Sequence, residues 1–280
     1  MRPAIFFKTL RDLRWQVAGY GLGLALLAAI VIFIYPSYSS QLDDFEIPEA
    51  LKGFMGEEGY TTPKGFISAE FFSFAPAVLC IFAIMAGTAA LGGEEANGTL
   101  ELLLAQPVSR RRLVLEKMLG LVACTFAILI VTAVGWLLSV PFVDIDISYG
   151  ALLLATAGIA PLALAFEAIA LWATAALPDR KLATGIVTLV AIVSYLAAYL
   201  ASVVDVLAPL RWASLFHYHD GTNALSHGLH PGGTVVLLLV TAVFAFLTLL
   251  AFERREIGST TASFALPWRR RTVDAAKEPA

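Results

Sequence analysis

Apolar residues in this chain come in long blocks. They show neither the alternation of half-buried strands nor the narrow stripe of surface helices. Six blocks, at about residues 17–35, 71–91, 118–140, 149–176, 182–203 and 233–252, hold few or no charges. Each meets the roughly 17–25 mostly apolar residues that one bilayer crossing needs. Inside hydrocarbon such a block must satisfy its own backbone hydrogen bonds, so each is expected as a helix. The pattern predicts an all-α membrane protein, a single domain over residues 1–280 with six transmembrane helices in residues 17–252. Ahead of the first block, "PAIFFKTLRDLRWQ" mixes Ile5, Phe6, Leu10 and Leu13 with Lys8, Arg11 and Arg14. That mixture suits an N-terminal interfacial helix over residues 1–16, lying flat before the chain turns into the membrane. Pro161 predicts a kink in the fourth span. Residues 253–280 read as a solvated tail with a basic anchor.

Composition agrees with this reading. Of the 280 residues 59% are hydrophobic and 15% charged, against about 45–50% and about 25% in soluble domains. The first span is long enough to cross and lacks a small-residue cleavage site behind it, so a removable signal peptide is not expected. Cys80 and Cys124 sit inside apolar blocks and read as small core residues, not as a disulfide framework.

Charge sets the orientation. Sixteen of the nineteen basic residues lie in the termini and the loops on their side, leaving Lys52, Lys64 and Arg211 opposite. By the positive-inside rule both termini are expected to be cytoplasmic, in the cell membrane. The first external segment, 36–70, is acidic, and its "IPEALKGFMG" reads as a short helix. In the second, "DVLAPLRWASLF" is apolar enough to dip back into the membrane edge.

Several chemistries lack their residues. There is no Gly-Lys pair, hence no phosphate loop, and the chain is not expected to hydrolyse ATP or to bind a cofactor itself. No histidine and no aspartate falls in a span, and no Ser-Gly pair exists, which argues against an intramembrane hydrolase. His217, His219, His227 and His230 cluster with Asp220 outside the membrane. Their spacing is compatible with a metal but unspecific, and no metal is assigned. The expected surroundings are a lipid bilayer, not nucleic acid.

One stretch stands apart: "GGEEANGTLELLLAQPVSRRR", between the second and third spans on the basic side. Asn97 or Thr99 can cap a helix, Glu101 favours its first turn, and Pro107 ends it. Ser109 can cap the next helix. Leu100, Leu103 and Leu104 share one face. Burying each would stabilise by roughly 1.5–3 kcal/mol, so that face needs a cover. The membrane surface is one candidate and a groove on a cytoplasmic partner the other. Glu94 and Glu95 favour the partner, because carboxylates sit poorly on an anionic leaflet.

"EEANGTLELLLAQPVSRRRLVLEK" resembles a segment of the type-two permease family of ATP-binding-cassette (ABC) transporters. Looser matches are "GFISAEFF", "SLFHYHDGTNALSHGL" and "FERREIG". The resemblance covers most of the chain. It implies that residues 98–106 form a cytoplasmic coupling helix docking on a separate ATPase. Glu94, Glu95, Gly98, Thr99, Leu100, Glu101, Leu103, Leu104, Pro107 and Arg110 would belong to that coupling site. It further implies two permease copies, two ABC ATPase subunits, and ATP and Mg on the ATPase. The expected function is then an exporter permease for a hydrophobic or amphipathic substrate. The alternative is a secondary transporter or channel without an ATPase, which would need an ion site within the spans.

Two further features are candidates. Glu167 is the one charge placed inside a span, where an acid costs roughly 2.5–3.5 kcal/mol to insert. It is either a substrate-path residue or a hydrogen-bonded structural one. Gly19 and Gly23 form a G-x-x-x-G pair in the first span, suited to close packing across a dimer or within the chain.

Overall fold

A computed structural model describes residues 4–39, 62–96, 98, 109–219, 225, 228 and 230–254. It is all-helical, with no strand among the described residues. The helices are α1 (Ala4–Ser39), α2 (Pro63–Ile67), α3 (Ala75–Ala96), α4 (Arg110–Ser139), α5 (Tyr149–Ala157), α6 (Ala160–Ala176), α7 (Arg180–Val203) and α8 (Pro231–Arg254). A π turn, Ser68–Phe72, joins α2 to α3, and 3-10 turns cover Asp205–Ala213 and Phe216–Tyr218. Among the described residues six stretches are long and apolar enough to cross a membrane, and each expected span coincides with one of them, the fifth running two residues past its stretch. The short external helix expected in "IPEALKGFMG" and the tail beyond residue 254 lie outside the described residues.

The first span differs from expectation. No turn separates an interfacial helix from it, because α1 is a single helix of 36 residues. At about 1.5 Å per residue it is about 54 Å long, well beyond the roughly 30 Å hydrocarbon core. Two causes are visible. Residues 4–18 contain no glycine or proline to break the helix. Its first turn is also clipped to α4: Glu116 Oε2 accepts the backbone N–H of Ile5 at 3.0 Å and of Phe6 at 3.3 Å.

The fourth span is broken where Pro161 predicts. Proline carries no N–H for the carbonyl of Ala157, so helix α5 stops there and α6 starts afresh. The break is braced from two sides. Trp136 Nε1 donates to Thr156 Oγ1 at 3.1 Å, and His219 Nδ1 lies 3.1 Å from the Gly158 carbonyl.

Small residues set the packing. Lipid supplies no hydrophobic force between helices, so van der Waals contact through close backbone approach takes its place. Along the α1–α4 seam a methyl group on Gly135 would lie 2.8 Å from Ala25, one on Gly21 3.1 Å from Val131, and one on Gly120 2.9 Å from Thr9. A methyl on Gly87 of α3 would lie 2.8 Å from Ala170 of α6. Helices α3 and α6 form the centre, with Phe82, Phe166, Ala163 and Ala170 fully enclosed. On the flank α8 covers α6, with Trp172 and Phe244 rings 5.2 Å apart. Helix α7 leaves Leu189, Ile192 and Val193 exposed.

The two ends of the bundle differ. One end is aromatic: Phe71 packs edge-on to Trp136 at 4.7 Å, and Tyr35 and Tyr38 lie against Phe66. Val206 and Trp212 of the 3-10 segment stay exposed there. The other end gathers the starts of α1, α4 and α7 with the ends of α3 and α8. Arg111 pairs with Glu253, and the Arg180 side chain lies against Gly92. Residues 4 and 254 therefore sit at the same, basic end.

Candidate functional site

The segment 97–108 links α3 to α4 at the basic end. Gly98 is exposed with φ +68°, a left-handed conformation that suits glycine. Thr99, Leu100, Glu101, Leu103, Leu104 and Pro107 lie outside the described residues, as does the Glu95 side chain. What the structure does place is the pair of anchors on either side.

On the α3 side the anchor is Glu94, which is buried. Its Oε1 accepts from Lys8 Nζ of α1 at 2.6 Å and from Lys117 Nζ of α4 at 3.0 Å. Lys117 is only 3% exposed, so its charge depends on this partner. On the α4 side Ser109 caps the helix as expected, accepting from the Arg112 N–H at 3.3 Å. Arg110 donates to the Phe252 carbonyl at 3.3 Å, and Arg111 Nη2 lies 3.2 Å from Glu253 Oε2. Arg112 Nε donates to Glu116 at 2.7 Å, completing the clip on α1. Both anchors thus reach α1 or α8, elements far away in sequence.

Glu167 is enclosed at 3% exposure, with Thr125 of α4 donating to its carboxylate. Gly19 and Gly23 lie on the outer face of α1, where an added methyl meets nothing within 4 Å. The histidines are dispersed in role. His217 stacks edge-on with Trp212, His219 braces Gly158, and His230 Nδ1 accepts from the Gly233 N–H at 3.0 Å. His227 and Asp220 fall outside the described residues. Among the described residues no group of three His, Cys, Asp or Glu could hold a metal.

An apolar cavity of about 260 Å³ opens between α3 and α7. Its lining includes Cys80, Ile84, Met85, Ile192 and Phe216, with Thr184, Thr188 and Tyr195 carrying the hydroxyl groups, and it does not include Glu167. Sequence reasoning does not find this cavity, because it lies between helices about a hundred residues apart. The one signal is the polar face of α7, carrying Thr184, Thr188 and Tyr195 at helical spacing.

The profile of the ABC-2 family transporter proteins matches residues 4–257. The chain belongs to the ABC-2 family. A search of curated proteins returns no match. An ABC-2 permease is the membrane-spanning part of a transporter, not itself catalytic, and normally works with an ABC ATPase. The six apolar helices agree with a multi-pass ABC-2 membrane protein.

Proposed function

We propose that this ABC-2 chain is the permease subunit of an ATP-driven exporter in the cell membrane. Its basic end faces the cytoplasm, where residues 98–106 dock on a separate ATPase. Two permease copies and two ATPase copies make up the assembly, with the outer face of α1 at Gly19 and Gly23 available to the second copy. ATP and Mg belong to the ATPase. Closure of the ATPase pair pushes on the docking segment, and the helices anchored to it tilt.

The observation that carries this reading is the pair of anchors beside residues 97–108. A short linker needs no buried ion network at one end and an arginine pair reaching α8 at the other. A segment that receives force does. The cavity between α3 and α7 supports a hydrophobic or amphipathic substrate: its lining is almost wholly apolar, with Met85 and two aromatic rings as adaptable contact surface. The enclosure of Glu167 supports an interhelical contact over a substrate-path role.

Leu103→Asp tests the docking. It places a charge in the proposed contact, and a buried unpaired charge costs about 3–5 kcal/mol, enough to lose the partner. The ATPase should copurify with the wild type and not with the variant, at equal membrane levels. The mass of the wild-type complex tests the two-plus-two assembly. Undiminished capture with Leu103→Asp returns the leucine face to the lipid surface.

A further inference from the structure

Glu94 belongs to the motif that implies docking, yet it faces inward. Its single Oε1 holds Lys8 at 2.6 Å and Lys117 at 3.0 Å. A residue occupied in this way is poorly placed to touch a partner subunit. It is well placed to bind three helices to one another at the end where the segment 97–108 leaves α3. A second contact acts on the same helices: Glu116 of α4 holds the first turn of α1 through the N–H groups of Ile5 and Phe6. A third is the close approach of Thr9 to Gly120. So α1 is fastened to α4 through Glu116 and Thr9, and to α3 through Lys8 and Glu94.

We infer that Glu94 is a positioning residue that ties the end of α3 to α1 through Lys8 and to α4 through Lys117, so that displacement of the segment 97–108 is passed to α1 from the α3 side through Lys8. This rests on the coupling role proposed above for that segment. The unbroken course of α1 to its basic end suits this role. A stiff helix fastened at its tip carries a displacement along its length, whereas a helix hinged at residue 16 would absorb it. The exposure of the three partners divides the labour. Lys117 is buried and keeps the Glu94 charge satisfied, while the Lys8 side chain is 32% exposed and reaches in from α1. Removing the Lys8 charge therefore cuts the link from α1 to α3, and leaves both the α1–α4 clip and the buried Glu94–Lys117 pair intact. Removing Glu94 would strand Lys117 and endanger the fold, so Lys8 is the residue to change.

The experiment measures distances in the permease–ATPase complex in lipid nanodiscs, by spin labels at Arg11→Cys with Lys181→Cys, and separately at Asn97→Cys with Lys181→Cys. Arg11 and Lys181 are exposed, on α1 and α7. The probe is ATP with Mg and vanadate. In the otherwise wild-type complex both distances should change on adding the nucleotide. With Lys8→Gln the nucleotide-free 11–181 distance should stay at its wild-type value, because Glu116 still holds Ile5 and Phe6. The change at residue 97 should persist. The ratio of shifted to unshifted populations at residue 11 should fall by at least about fivefold, the lower bound of ordinary coupling between sites. Lys8→Arg should restore it. A full nucleotide-driven change at residue 11 in Lys8→Gln overturns the inference and leaves the coupling reading standing. No nucleotide-driven change at residue 97 in the wild type overturns the coupling reading itself, and this inference with it.

Discussion

Gly135→Ala tests the reasoning about the α1–α4 seam most directly. An added Cβ at Gly135 would lie 2.8 Å from both Cα and Cβ of Ala25 and 2.9 Å from its carbonyl oxygen. Carbon atoms prefer about 3.5–4.0 Å. The two helices must then separate locally by about 0.7–1.2 Å, the difference between those distances and 2.8 Å. Two of the obstructing atoms belong to backbone, so no rotamer change relieves them. A gap of about 0.5–1 Å forfeits a quarter to a half of each neighbouring dispersion contact. Overfilling a packed core costs about 1–3 kcal/mol, a factor of about 5–150 in the folded population. Gly19→Ala and Gly23→Ala supply the control. An added methyl at either meets nothing within 4 Å, and both share the helix-propensity gain of alanine over glycine, about 1 kcal/mol. That gain cancels in the comparison, leaving the clash. Thermal unfolding of the three variants, each held as a monomer in one detergent and followed by tryptophan fluorescence, should show Gly135→Ala melting below the other two. Equal melting temperatures would refute the close-packed seam.

The remaining predictions concern the enclosed acid and the orientation. Thr125→Val takes away the hydroxyl that donates to Glu167; the loss should be about 0.6 kcal/mol and at most about 1.7 kcal/mol, the range of interhelical hydrogen bonds in membranes. Thr125→Ser should recover it, and an unfolding temperature unmoved by Thr125→Val counts against the contact. Cysteines placed at Lys64 or Arg211 should react with an impermeant reagent on intact cells, and those at Arg111 or Lys181 should not. Reaction at position 111 from outside would reverse the proposed orientation.

What the sequence reveals depends on how far apart the interacting residues lie. Hydropathy adds up over some twenty consecutive residues, so all six spans are legible. Pro161 marks the break in the fourth span, and Ser109 marks the start of α4, because both effects act within one helical turn. The continuity of α1 is only half legible: residues 4–18 hold no glycine or proline to break it, but the clip on its first turn is not local. It depends on Glu116 reaching Ile5 across 111 residues, and Lys8 reaches Glu94 across 86. Nor does spacing say which side of a helix a glycine faces. The G-x-x-x-G pair of Gly19 and Gly23 points outward, while the intramolecular contact falls on Gly21, midway between them. The candidate cavity needs the mutual placement of α3 and α7, which no local pattern encodes.

The pairing of Thr125 with Glu167 also bears on how the protein is made. Thr125 precedes Glu167 by 42 residues. At about 5–20 residues per second, the hydroxyl leaves the ribosome roughly 2–8 seconds before the acid that needs it. Gly87, whose open side receives the backbone of Glu167, is older still. This carboxyl, destined for the middle of the bundle, is thus synthesised after the surfaces of α3 and α4 that it packs against. A span that would hesitate at the translocon on its own can enter against helices already inserted. The order of the residues along the chain serves as an assembly schedule, and a defect at Thr125 should be felt at biogenesis before it is felt in transport.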